Sequence, residues 1–234
     1  MFIGLREVDV EKFSLYALIT CGWIIFWIRF LRPYLCKRLS WFRAPSRLIT
    51  RLMPWVSVLI VVCMVEKSSP FTLGLSVQNL GKTWLVTVLA SVSTVLVIYG
   101  LAKFWKKLGH LRIEGDSLYY VGNTMPHSII TPSFIYKYLH TQFLYVALPE
   151  EITYRGFLLS RLMLSWNPVI AIFVSSGFFI FAHIDRPLMA LQVFIFGLIF
   201  GMAFFYSGNI YPCFVAHTLS NLVGALILKH VAQH

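Results

Sequence analysis

Charge is scarce in this sequence. Only 12% of the 234 residues are charged and 58% are hydrophobic, against about 25% charged in an ordinary soluble domain. That deficit excludes a soluble chain with a polar shell and predicts an all-α, polytopic membrane helix bundle. Acid is scarcer than base, with nine Asp and Glu against twenty Lys and Arg. In a soluble chain the imbalance would suggest nucleic acid. Here the basic residues cluster between apolar runs, so the implied partner is the anionic face of a bilayer, and nucleic acid is set aside.

The missing motifs exclude chemistries in turn. Aspartate occurs only as Asp9, Asp116 and Asp185, none within an apolar run, which excludes an intramembrane aspartyl dyad. There is no H-E-x-x-H, so the usual helical zinc-protease site is absent, and no G-x-S-x-G elbow. Cys21, Cys36, Cys63 and Cys213 show no C-x-x-C spacing, and three of them lie in apolar runs, so they read as packing residues. No internal repeat and no low-complexity tract is present.

What remains is a series of apolar runs, each needing about 20 residues to cross the hydrocarbon core. The first, Phe13 to Leu31, follows a mixed-charge segment without a cleavage site and reads as an uncleaved anchor. A basic stretch follows, with Arg29, Arg32, Lys37, Arg38, Arg43, Arg47 and Arg51 and no acid, which predicts that this side is cytoplasmic and the N-terminus outside. The second run, Leu52 to Val65, is short and contains Pro54; a tilted span is the favoured reading over a re-entrant segment. Trp84 to Ala102 is the third, closed by Lys103, Lys106, Lys107 and Arg112. Glu114 to Pro132 reads as a loop or interfacial segment. A long fourth helix is expected from about Phe134 to Leu164, then spans over Pro168 to Ile184, Leu188 to Tyr206 and Ile210 to Leu228. Seven spans place 14 of the 20 basic residues, Lys137, Arg186 and Lys229 among them, on the cytoplasmic side. The layout divides into residues 1–133, with about three spans and a polar loop, and residues 134–234, with four spans, in a multi-pass protein expected in the plasma (inner) membrane.

The polar residues inside these runs carry the functional signal. Pro149-Glu150-Glu151-Ile152-Thr153-Tyr154-Arg155-Gly156 sets two carboxylates and a guanidinium in the fourth run. Charge at bilayer depth costs about 2.5–3.5 kcal/mol per residue even on lenient scales, so it is retained for function. Glu151 and Arg155 share a helix face four residues apart. Glu150 is rotated about 100° from Glu151 and has no partner in its own turn, which suits a general base. The fifth run ends in Phe179-Ile180-Phe181-Ala182-His183, and the seventh contains His217 and Asn221 on one face. A Glu base with His183 to activate water, and His217 with Asn221 to stabilise an oxyanion, describes amide hydrolysis inside a membrane. A zinc site of two His and one Glu with an open position fits the same residue types, so these residues leave both mechanisms open.

Together, E-E-x-x-x-R (Glu150, Glu151, Arg155, followed by Gly156), F-x-x-x-H (Phe179, His183) and H-x-x-x-N (His217, Asn221) resemble the CAAX-protease and bacteriocin-processing (Abi) family of intramembrane proteases. The resemblance covers roughly Leu139 to Ala225, and Leu73-Gly74-Leu75 looks like the family's looser N-terminal half. It implies Glu150 as the water-activating residue with His183 as partner, and His217 with Asn221 as the oxyanion pair. Glu151, Arg155 and Phe179 match supporting positions, and the family's favoured mechanism is metal-free, with no cofactor. The implied substrate is a membrane-associated or C-terminally anchored protein or peptide. Two other readings are a non-catalytic immunity or binding protein of the same fold and a small proton-coupled transporter.

Overall fold

Among the described residues the apolar runs become seven helices. A computed structural model describes residues 7–114, 117–120, 123–126, 136, 139–186 and 189–233. Helix α1 (7–38) is continuous through a π-turn at Trp27–Leu31, and α2 (43–65) ends in another at Val61–Val65. Helix α3 (Leu80–Lys107) starts where the Asn79 side chain accepts from the Lys82 amide at 2.8 Å. Helix α4 (139–165) contains π-helical stretches at Phe143–Ala147 and Ile152–Leu159 around the short α-helical Leu148–Glu151. Helix α5 (Pro168–Phe181) is capped by Asn167, with Pro168 in its first turn. Helix α6 (Ala190–Ser207) stops at Gly208, which is left-handed at φ 72°, and α7 (Tyr211–Gln233) follows at once.

Strands β1 (Leu111–Glu114), β2 (Ser117–Tyr120) and β3 (Asn123–Pro126) form an antiparallel meander after α3, pairing Leu111 with Tyr120 and Ser117 with Pro126. This small sheet occupies the stretch expected to be a loop; alternating residues such as Leu111-Arg112-Ile113-Glu114 supply a strand period too short to stand out from sequence. The rest of the fold is helical, in agreement with the all-α expectation. The predicted start of the fourth helix at Phe134, the basic Lys137, and the Pro187-Leu188 entrance to the sixth lie outside the described residues.

Among the described residues four helices are long and apolar enough to cross a membrane: Val10–Arg38, Leu80–Lys107, Ala190–Ser207 and Tyr211–Gln233. Leu52–Val65 and Pro168–Phe181 are shorter apolar helices, and α4 carries charged residues along its length. Large apolar side chains face outward along α1 (Leu15, Ile19, Trp23, Phe26), α3 (Leu85, Val88, Leu89, Val92, Leu96) and α5 (Val169, Ile170, Phe173). Continuous apolar surface of that extent marks contact with lipid. The chain is an integral membrane protein.

The short second run is part of a longer helix, 43–65. Glu66, just past α2, is 2.6 Å from Arg161 near the end of α4, and Ser14 near the start of α1 donates to the Arg161 carbonyl at 2.8 Å. The C-terminal end of α2 therefore lies level with the N-terminal part of α1, and α2 runs the length of the bundle. The helix is longer than the apolar run because the polar residues 43–51 continue it. Arg29, expected in the basic loop, is inside α1.

Two glycine contacts fix the packing around α4. A Cβ on Gly156 would sit 2.7 Å from the Leu73 carbonyl oxygen, so α4 meets the turn after α2 backbone to side. Gly74 is left-handed at φ 75° and its carbonyl accepts from the Ile210 amide at 3.1 Å, which joins the Leu73-Gly74-Leu75 segment to the turn before α7. The core runs through both halves of the chain, from Ala17, Cys21 and Val58 to Phe157, Phe200 and Ala216.

Candidate active site

Helix α4 presents its two adjacent glutamates to different surroundings. Glu151 is fully buried, and its Oε1 lies 2.8 Å from His217 Nδ1 and 3.2 Å from an Arg155 amino group. Arg155 also donates to the Gly197 carbonyl at 3.4 Å, and its guanidinium lies 4.5 Å from the Phe179 ring centre and 5.3 Å from that of Phe200. Two aromatic faces, a carboxylate and a carbonyl thus offset the desolvation of a cation at 1% exposure. The Gly197 position is itself tightly fitted, since a Cβ there would come 2.8 Å from Ser176 Cβ.

Glu150 is left over. Its side chain is 28% exposed, and Oε2 is buried with no hydrogen-bond partner. It lines a cavity of about 200 Å³ together with His183, Tyr145, Thr153, Tyr154 and Arg29, among others. That volume holds several waters or a short piece of peptide. The two glutamates separate as their helical rotation predicts, one toward the cavity and one into the core.

His217 bridges the pair. With Nδ1 held by Glu151, Nε2 faces Glu150 at 3.9 Å, and the ring is stacked on Phe200 at 5.3 Å and 18°. A carboxylate on Nδ1 fixes both the tautomer and the ring orientation, so Nε2 is the nitrogen left for chemistry. His183 sits in the turn ending α5. Its Nδ1 donates to the Phe179 carbonyl at 2.9 Å, and the two rings meet edge to face at 4.9 Å. Phe179 therefore touches His183, His217 and Arg155 at once.

Asn221 lies one turn beyond His217 on α7 and donates to Gln142 Oε1 at 2.9 Å. It is not among the residues lining the cavity that Glu150 and His183 share. The structure thus brings Glu150, His183, His217, Glu151, Arg155 and Phe179 into one connected cluster, with Asn221 at its edge. For the zinc alternative, no group of three His, Cys, Asp or Glu side chains among the described residues is placed to hold a metal ion. His183 and His217 each have Nδ1 bound within the protein and Nε2 without a hydrogen bond among the described residues.

Residues 131–223 match the family described as type II CAAX prenyl endopeptidase Rce1-like. Over these residues, somewhat less than half of its length, the chain is similar to that family. All seven motif residues fall inside the match, so the resemblance read from the three spaced motifs and the family match coincide. No curated protein and no solved structure matches the chain.

Four contributors escaped the sequence. Gln142 and Phe200 are ordinary residues in apolar helices, and Gly197 acts through its carbonyl. None of the three carries a signal of its own. Arg29 did carry one, because it stands in Trp27-Ile28-Arg29-Phe30-Leu31 with apolar neighbours on both sides. It hydrogen-bonds the Ala182 carbonyl and lies 2.8 Å from Asp185. It therefore clamps the turn that bears His183 from outside the region matching the family.

Proposed function

We propose that this protein is a glutamic-type intramembrane endopeptidase that cleaves a membrane-associated or C-terminally anchored protein or peptide at the plasma (inner) membrane. The observation that carries the reading is the division of labour between neighbouring glutamates: Glu151 is fully buried and held by Arg155 and His217, while Glu150 is partly exposed and lines the cavity with His183.

In this reading Glu150 takes a proton from a water that His183 orients. The resulting hydroxide adds to the carbonyl carbon of the scissile bond. The carbonyl oxygen takes up the negative charge, and Asn221, together with Nε2–H of His217 in its imidazolium form, donates hydrogen bonds to it. Collapse of the tetrahedral intermediate expels the amine, which receives the proton from Glu150. Asn221 would exchange its Gln142 partner for the oxyanion, a small side-chain movement on a fixed helix.

The test is proteolysis by purified protein in detergent, using a panel of prenylated and unprenylated membrane peptides, with wild type beside Glu150→Gln and Asn221→Ala. Each run is made with and without a zinc chelator. Cleavage that the chelator leaves intact and Glu150→Gln abolishes supports the reading. Cleavage lost to chelator in the wild type overturns the metal-free mechanism. A protein inert across the panel falls to the immunity or binding reading, and one that moves protons but tolerates Asn221→Ala falls to the transporter reading.

A further inference from the structure

A second concave site lies far from the glutamates, where the C-terminal ends of α3 and α7 meet. It has a volume of about 520 Å³ and is lined by Tyr99, Lys103, Lys106, Lys107, His230 and Val231. No carboxylate is among these residues. Lys103, Lys106 and Lys107 stand at i, i+3 and i+4 on one helix face, a spacing at which like charges repel. Two of the ammonium groups are nonetheless held in place. Lys103 lies 4.6 Å from the Tyr99 ring centre, and Lys106 donates to the Val231 carbonyl at 2.9 Å.

The depth of the site follows from the sequence of α3. Lys82 and Lys103 bracket a stretch, 83–102, with no charged residue. At about 1.5 Å per residue it is about 30 Å long, the thickness of the hydrocarbon core. Lys103 therefore sits at the hydrocarbon boundary, and Lys106 and Lys107 lie about 4–6 Å beyond it, at the level of lipid phosphates. Trp105 and Tyr99 flank the same level, as interfacial aromatics do. Just below, Leu89, Val92 and Leu96 are exposed and present an apolar wall for acyl chains.

We propose that this pocket binds the phosphate of an anionic membrane lipid, with Lys103 and Lys107 as the principal cations, Lys106 anchored to the end of α7, and the acyl chains lying along α3. The bound phosphate offsets the repulsion among the three lysines and ties α3 to α7. The positive-inside layout puts the pocket on the cytoplasmic side, where anionic lipid attracts basic groups.

The test uses full-length protein in a neutral detergent. Thermal unfolding is followed by tryptophan fluorescence during titration with phosphatidylglycerol, phosphatidylcholine or inorganic phosphate, and native mass spectrometry counts retained lipid. The proteins are wild type, Lys103→Gln/Lys107→Gln, and Lys37→Gln as a basic residue outside the pocket. Phosphatidylglycerol is expected to raise the melting temperature and remain bound, with phosphatidylcholine inactive. The double variant should bind about 30-fold more weakly, each lysine contributing about fivefold, and without lipid should melt no lower than wild type. Should the double variant not fold, Lys107→Gln is read by native mass spectrometry alone. An unchanged phosphatidylglycerol response in the pocket variant overturns the proposal, as does an equal loss in Lys37→Gln. Inorganic phosphate reproducing the whole effect at equal concentration also overturns it, by assigning the pocket to a free anion. None of these readouts depends on proteolysis.

Discussion

Glu151 Oε1 lies 2.8 Å from His217 Nδ1, which couples α4 to α7 through a fully buried carboxylate. The same carboxylate holds Arg155, so Glu151 is tied on both sides, whereas Glu150 has His217 Nε2 only at 3.9 Å. Replacement by glutamine should therefore separate the two. Glu150→Gln is expected to lower cleavage about 10²–10⁴-fold, the range of a general base, with an unchanged melting temperature. Glu151→Gln leaves the Arg155 charge uncompensated and should destabilise by about 3–5 kcal/mol as well as disabling His217. Thermal unfolding beside specific activity decides it; equal destabilisation by both changes would refute the division of roles.

Close helix approach gives a second expectation. A Cβ would meet Ser176 Cβ at 2.8 Å from Gly197 and Ile172 Cγ2 at 2.9 Å from Gly201, whereas Gly177 has nothing within 4 Å. Gly197→Ala and Gly201→Ala push α6 off α5 and should cost about 1–3 kcal/mol. Gly177→Ala, in the same pair of helices, should be neutral or slightly stabilising through helix propensity. Gly197→Ala should also reduce activity, because its carbonyl accepts from Arg155. Melting temperatures of the three variants, measured in one detergent, check the order.

Arg29 reaches the active-site cavity from α1 and binds both the Ala182 carbonyl and Asp185, on either side of His183. Its expected role is to position that histidine. Arg29→Lys keeps the charge but not the two-point geometry and should lower kcat about 10–100-fold, the usual scale for a residue that orients a functional ligand, with KM little changed. Asp185→Asn should act in the same direction and add little to Arg29→Lys in the double variant. A purely structural role would lower the melting temperature and leave kcat of the folded fraction intact.

The legibility of these features from sequence divides along physical lines. Glu150, Glu151 and Arg155 stood out because charge inside an apolar run is costly enough to need a reason, and helical rotation alone separated Glu150 from Glu151. The helices of the bundle were legible for the same thermodynamic reason, apolar length. Boundaries were not: α1 and α2 extend through basic residues that a hydropathy reading assigns to a loop. The β-meander was hidden because its strands are four residues each. Contacts made by a carbonyl (Gly197) or by an aromatic face (Phe200) depend on tertiary placement and leave no local mark.

The buried pair of Glu66 and Arg161 supplies the last expectation. Arg161 donates to both Glu66 oxygens, to the Thr72 carbonyl at 3.1 Å and to the Thr72 hydroxyl at 2.9 Å, closing the end of the bundle where α2 and α4 finish. Removing one partner strands a charge, so Glu66→Ala should destabilise by about 3–5 kcal/mol. Removing both with apolar substitutes, Glu66→Leu/Arg161→Met, should recover most of that loss, because the desolvation of two ions is no longer required. Neither change touches the cavity that Glu150 and His183 line. The specific activity of the folded fraction should stay near wild type in both, while the single variant unfolds earlier. A double variant as unstable as the single would mean that the bonds from Arg161 to Thr72, and not the ion pair, hold this end of the bundle together.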